Sequence, residues 1–452
     1  MNSSQTLDLL RRYESRNVTY VDPAGGWPIV WARAQGCDVW DAEGRKYLDL
    51  TAAFGVAAAG HANPRVVRAG QRQMATLLHA MGDVHPHALK AQLARELSEL
   101  TFGRWAVGAG KGKWKKEKGK GQAEGKVIFC NSGFEAVEAA LKTARLATGR
   151  PGIIAFEGGY HGLGYGALNA THREHFRGGF RDQLREFAQF VPFPQATGKT
   201  SHPTLAMVEA RLRAAFATGS VGAILVEPIQ ARGGINVPPA GFLPLLRRLA
   251  NERGALLILD EIYTGFGRTG AWFACEHSGV RPDLICLGKA LTGGFPLSAC
   301  VGRADVMDAA WPPSNGEAIH TSTFLGHPVG CAMALAQVAE LKAEKLVKRA
   351  AKLGAWLAAE LSSTFNVQRS TLNIQMRASG LMVGVELLHA DGRPATTEAL
   401  AAIKEMLQRG YILLPEGEHA NVIAFTPPLI ITEAQLRRSV RTLAQILKEM
   451  QV

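Results

Sequence analysis

Short continuous apolar runs recur through the middle of the chain, at 127–130, 153–156, 223–226, 255–259 and 284–287. None alternates apolar with polar residues, so each fits a strand buried on both faces, as in a parallel sheet. Helical patterns lie between them, at 131–145 and 241–253. The strand–helix alternation from Val127 to Val301 predicts an α/β fold with a mostly parallel sheet and helices on both faces. Upstream, 1–16 reads as a helix or a frayed one. Residues 20–49 alternate around turn signals at 23–26 and 41–44, which predicts a small antiparallel sheet. Residues 50–61 are rich in Ala and Gly and predict irregular backbone near a ligand. Asn63 and Pro64 open a helix to about residue 79, capped by Asn63, and a second helix spans 87–100. Downstream, helices are expected at 329–344 and 345–361, strands at 381–387, 412–414 and 422–424, and a closing amphipathic helix at 433–450. This α+β part is expected to join the N-terminal sheet in one small domain.

The 255–259 run ends in Asp260 and Glu261, and the 284–287 run ends in Gly288 and Lys289. In open α/β sheets, ligands collect at the carboxyl ends of the strands. A fixed carboxylate and a lysine at neighbouring strand ends suit a cofactor with a basic ring nitrogen and an aldehyde, of which pyridoxal phosphate is the common one. The junction at Ser132 and Gly133 presents free N–H groups and a positive helix end to an anion. The plain alternative is an ordinary N-cap. Tyr160, set among Gly158, Gly159 and Gly162, suits a ring stacked on a planar ligand, although a turn with a half-buried tyrosine has the same pattern.

A chain of 452 residues is too long for one simple core and implies two domains. Its 47% hydrophobic and 20% charged residues are those of an ordinary globular protein. No apolar run reaches the roughly 18 residues of a membrane span, and 1–16 lacks the apolar stretch of a signal peptide. Six cysteines are scattered without CxxC spacing, which predicts reduced thiols, a cytoplasmic location and neither disulfides nor a metal site. The net charge of +12 invites a nucleic-acid reading, but 105–126 alone carries seven lysines against two glutamates. That glycine-rich segment reads as a solvated insertion rather than an anchor for an acidic partner. No nucleic-acid or membrane partner is expected.

Taken together, the motifs resemble class III aminotransferases, of the fold-type-I pyridoxal-phosphate group. The resemblance rests on Asn-Ser-Gly-Phe-Glu-Ala at 131–136, Tyr-His-Gly at 160–162, Glu-Pro-Ile-Gln at 227–230, Asp-Glu-Ile-Tyr-Thr-Gly-Phe-Gly-Arg-Thr-Gly at 260–270, Gly-Lys-Ala-Leu-Thr-Gly-Gly at 288–294 and Pro-Pro-Leu at 427–429. It implies a large domain with a mostly parallel seven-stranded sheet and a smaller α+β domain from both chain ends. The implied division is 1–62, 63–328 (with the 105–126 insertion) and 329–452. It further implies a homodimer with shared active sites that moves an amino group between a primary amine or amino acid and a keto acid or aldehyde, by a ping-pong path through pyridoxamine phosphate. Lys289 resembles the lysine that bonds the cofactor and then shuttles a proton. Asp260 matches the carboxylate on the pyridine nitrogen, and Tyr160 the stacked aromatic. Ser132, Gly133 and Phe134 match the phosphate cradle, and Thr323 matches a threonine that reaches the other subunit's cofactor. His161, Glu227, Ile262 and Tyr263 fall beside the cofactor. Racemization, epimerization, decarboxylation and aminomutation use the same lysine and aspartate and remain alternatives. A basic binding protein on a borrowed fold is a more distant one.

Four positions depart from the family pattern. Tyr263 stands where many members have a glutamine, Arg232 where a glutamate is usual, and Ala424 and Leu163 where arginines are found. The usual carboxylate switch is therefore absent, and Arg232 becomes a candidate clamp from the opposite side, or a surface residue. Phe54 and Trp27 are candidate apolar walls of the substrate pocket, or core. These departures predict poor use of 2-oxoglutarate relative to a small acceptor such as pyruvate.

Overall fold

The computed structural model describes residues 1–23, 25–107, 124–196, 203–366 and 372–450. Most of the lysine-rich insertion expected at 105–126 lies outside the described residues. The five expected apolar runs, together with Ser298–Arg303 and Ala188–Val191, form a seven-stranded sheet in the spatial order Gly125–Cys130, Ser298–Arg303, Leu284–Leu287, Leu256–Asp260, Val221–Val226, Gly152–Phe156, Ala188–Val191. The last five pair in parallel, and Ser298–Arg303 runs antiparallel to both of its neighbours. Side chains of one strand part to opposite faces. Leu257 and Leu259 join the core cluster that includes Leu246 and Leu249 of the helix Phe242–Arg253. Ile258 joins the opposite cluster with Val137, Ala140 and Ala144 of the helix Gly133–Thr148. Both faces are thus dry, which accounts for the unbroken apolar runs.

The edge strand Ala188–Val191 was not expected. Gln189 interrupts its apolar run, and an edge position demands less burial of it. The helix Thr396–Gln408 was not expected either. The run anticipated as one strand at 412–414 is divided between two sheets. Tyr411–Ile412 pairs in parallel with Lys46–Asp49 of the N-terminal antiparallel sheet. Leu414–Glu416 pairs instead with Val422–Phe425, in a second four-stranded sheet with Met382–Leu388 and Asn373–Ser379. The chain crosses between the sheets at Leu413, so two elements lie within one short apolar run. The two chain ends share a sheet, as expected. Residues 50–61 are irregular, with Ala52, Ala53 and Phe54 in the left-handed region. Among the described residues no helix is long and apolar enough to cross a membrane.

Candidate active site

Asp260 ends the strand Leu256–Asp260 and is buried. Its Oδ2 lies 2.8 Å from His161 Nδ1, and its Oδ1 accepts the Ile262 N–H at 3.1 Å. His161 is fixed in turn, its backbone N–H donating to Thr171 Oγ1 at 2.9 Å. The carboxylate is thereby held in one orientation. Lys289 follows the next strand, with φ at +42°, a strained value for a residue with a side chain. Its Nζ lies 4.6 Å from the centroid of the Tyr263 ring. Burial lowers the Lys289 pKa, against opposing pulls from Asp260, Glu227 and Glu416.

The second strand end supplies a cradle. Glu135 accepts the N–H groups of Asn131 at 2.6 Å and Ser132 at 3.0 Å, which stabilises the start of the helix Gly133–Thr148. The Ser132 carbonyl accepts from Ser298 Oγ at 2.5 Å, while its own Oγ is buried without a partner. A Cβ on Gly133 would lie 3.0 Å from Ile262 Cδ1, so glycine is what lets the helix start pack this closely.

Glu227 ties two loops together, accepting Tyr160 N–H at 2.9 Å and Ala231 N–H at 3.0 Å. Burial pushes its pKa up to about 7, with the charge of His161 lowering it and that of Asp260 raising it. The Arg232 guanidinium carbon lies 5.4 Å from the centroid of the Tyr160 ring. Tyr263 directs its hydroxyl to Thr426 Oγ1 at 3.1 Å, so its ring rather than its oxygen faces the lysine.

These residues surround a cavity of about 450 Å³. Ten of the expected site residues line it: Gly133, Phe134, Tyr160, His161, Glu227, Arg232, Asp260, Ile262, Tyr263 and Lys289. Ser132 adjoins it. Four are not among its lining residues. Trp27 packs against the cluster of Val39, Tyr47, Leu407 and Ile412. Ala424 is buried with Ile229, Ala231, Ile235 and Met382, beneath the loop that bears Arg232. Phe54 and Thr323 are exposed. One residue was missed. Glu416 is buried on the strand Leu414–Glu416, close enough to feel both Arg232 and Lys289. A carboxylate closing a short apolar stretch, after Leu414 and Pro415, was the available signal.

The family model described as aminotransferase class-III matches residues 20–447. The chain is a class III aminotransferase. It is 35% identical to the acetylornithine aminotransferase of Methanosarcina mazei, over 93% of this chain and 92% of that protein. Its fold matches an (S)-enantioselective omega-transaminase from Thermomicrobium roseum at a TM-score of 0.87, with 27% identity and 99% of both chains covered. It matches the ornithine aminotransferase of Toxoplasma gondii, whose structure reveals partial occupancy of PLP at the active site, at a TM-score of 0.82, with 28% identity and 100% and 96% coverage.

This aminotransferase depends on pyridoxal phosphate, and its residues fit that group. A buried Ser132 hydroxyl without a partner, at a helix start kept clear by Gly133, fits a phosphate. A rigid carboxylate backed by a histidine fits a ring nitrogen, and an amine of lowered pKa in the same cavity fits an aldehyde carbon.

Proposed function

We propose that Lys289 is the cofactor-bonding and proton-transferring residue, Asp260 the partner of the ring nitrogen, and Ser132, Gly133 and Phe134 the phosphate cradle. The observation that carries this reading is that Asp260 and Lys289, from neighbouring strand ends, line one cavity. When bound, pyridoxal phosphate supplies the aldehyde and the electron-withdrawing ring on which amino transfer depends. Around it the chain's own groups divide the work. Asp260 holds a negative charge at the ring nitrogen, and His161 fixes its direction. The lowered pKa of Lys289 leaves more of its Nζ as free amine near neutral pH, able to take a proton from the substrate α-carbon. Tyr160 covers a ring face, and Glu227 holds Tyr160 and the Arg232 loop in register.

Arg232 takes the substrate carboxylate. Its Nε is buried without a partner in the wall of the cavity, which supports that reading. The preferred acceptor is a small 2-keto acid and the donor a primary amine or amino acid. Half-reactions followed by cofactor absorbance test this: pyruvate should turn over well and 2-oxoglutarate poorly, and equal turnover would contradict it.

The working unit is a homodimer with shared sites. Its support is an exposed apolar surface formed by Leu78, Met81, Val84 and Phe324, beside Thr323. His79 packs edge-on to Phe324 at 5.4 Å, and Thr321 donates to Asp83 at 2.6 Å, so the segments form one face. Phe54 and Thr323 serve the partner's site in this reading. The domain division at 62/63 and 328/329 belongs to it as well. So does a cytoplasmic location, in keeping with six free cysteines.

A further inference from the structure

The helix Gly133–Thr148 starts at the catalytic cavity, and farther along it walls a second cavity, of about 480 Å³. That volume falls in the range of small-molecule sites, roughly 300–1,000 Å³. The two cavities share no lining residue. Apolar walls come from separate parts of the chain: Leu141 on the helix, Ile153 on its strand, Phe187 before the edge strand, and Trp311. The indole is fixed in place, its Nε1–H donating to Thr143 Oγ1 at 3.0 Å. Three cations border the same space, Lys142, Arg145 and Arg185. Among the described residues neither arginine side chain has an ion-pair or hydrogen-bond partner. Glu186, next to Arg185, is spent on Arg177 at 3.1 Å and Arg181 at 3.0 Å. Lys142 Nζ lies 3.1 Å from His320 Nδ1, and burial together with that ammonium lowers the His320 pKa, so the ring brings no charge of its own. Glu138 is the carboxylate among the lining residues, and it accepts the Ala167 N–H at 3.0 Å.

We propose that this cavity is a second ligand site, which takes a small carboxylic acid with a flat apolar body. Trp311 and Phe187 receive the body, and Arg145 and Arg185 receive the carboxylate. A guanidinium offers paired donors to a carboxylate, and these two give up no internal ion pair to do so. Body and charge are both required. An anion without a body gains no apolar contact, and a neutral aromatic leaves both arginines unmatched. The assignment is independent of the reading of Lys289, Asp260 and Arg232, since none of them lines this cavity.

The test titrates the holoenzyme with 2-naphthoate in a calorimeter and places the ligand by hydrogen exchange. Protection should appear in peptides covering 138–146 and 311–319, and Arg232→Gln should leave that protection unchanged. Arg145→Glu and Arg185→Glu should each weaken 2-naphthoate on the order of tenfold, the scale of one close charge pair. Neither should alter the weaker binding of 2-naphthamide, which has the body without the charge, or the kcat with pyruvate. Arg185→Lys, which keeps the charge, should stay near wild type, and acetate should not bind there. Three results would overturn the proposal. The first is no binding of 2-naphthoate to the holoenzyme, as when a partner subunit fills the cavity. The second is protection confined to 227–235, which would place the ligand in the catalytic cavity. The third is an affinity indifferent to both charge reversals.

Discussion

In the proposed reading Asp260 and Lys289 work as a pair, and each is held by its own stretch of backbone at a neighbouring strand end. Asp260 is pinned by His161 and by the Ile262 N–H, and Lys289 by a strained left-handed turn. Asp260→Asn keeps the size and the hydrogen bonding but removes the charge. It should retain the cofactor and the melting temperature while kcat falls by roughly a hundredfold or more, the scale of one lost electrostatic partner; steady-state kinetics and a thermal melt check both. At this scale the sequence was readable where chemistry coincides with a strand end. Asp260 and Lys289 each close an apolar run, and Ser132 and Gly133 sit where a strand turns into a helix. Glu416 was only partly readable: it closes a short apolar stretch, but the loop it adjoins, at Arg232, is brought to it only by folding. Trp27 was ambiguous for the opposite reason: aromatic composition alone does not separate a pocket wall from the core cluster it joins.

Between elements, two junctions carry the site. The first is the start of the helix Gly133–Thr148 against Ile262. Gly133→Ala would set a methyl 3.0 Å from Ile262 Cδ1, so it should cost about 1–3 kcal/mol of overpacking. Cofactor titration should show weaker retention, partly restored by Ile262→Val. The second is the buried Arg377, which donates to the carbonyls of Gly234 at 2.7 Å and Ile235 at 3.2 Å and pairs with Glu386. It fastens the Arg232 loop to the C-terminal sheet. Arg377→Gln should raise the KM for pyruvate with little change in cofactor affinity; an equal loss of both would mean general collapse instead. The inner strands of the central sheet were legible because burial on both faces leaves unbroken apolar runs, whereas the less buried edge strand Ala188–Val191 was not. The 412–414 segment was not, since apolar residues do not record which of two sheets they join.

Across the molecule, three carboxylates among the described residues are buried with pKa values pushed up to about 7, Glu227, Glu261 and Glu416, with burial the leading cause in each. Glu261 lies off the cavity lining and accepts the N–H groups of Ala274 and Cys275, each at 2.8 Å. A raised carboxyl pKa contributes stability that is full below about 4.5 and is lost as pH rises through about 7. The melting temperature of wild type relative to Glu261→Gln should therefore fall between pH 6 and pH 8.5; a constant gap would contradict that sign. The proposed dimer should sediment at twice the 48.5 kDa chain mass, and a charge at Phe324 should dissociate it. The catalytic outcomes presuppose that the cofactor is bonded at one lysine. Borohydride reduction of the holoenzyme followed by peptide mass spectrometry tests that directly. The expected result is the reduced cofactor on the peptide containing Lys289 and its absence from Lys289→Ala; a label on another lysine, or none on wild type, would contradict the account.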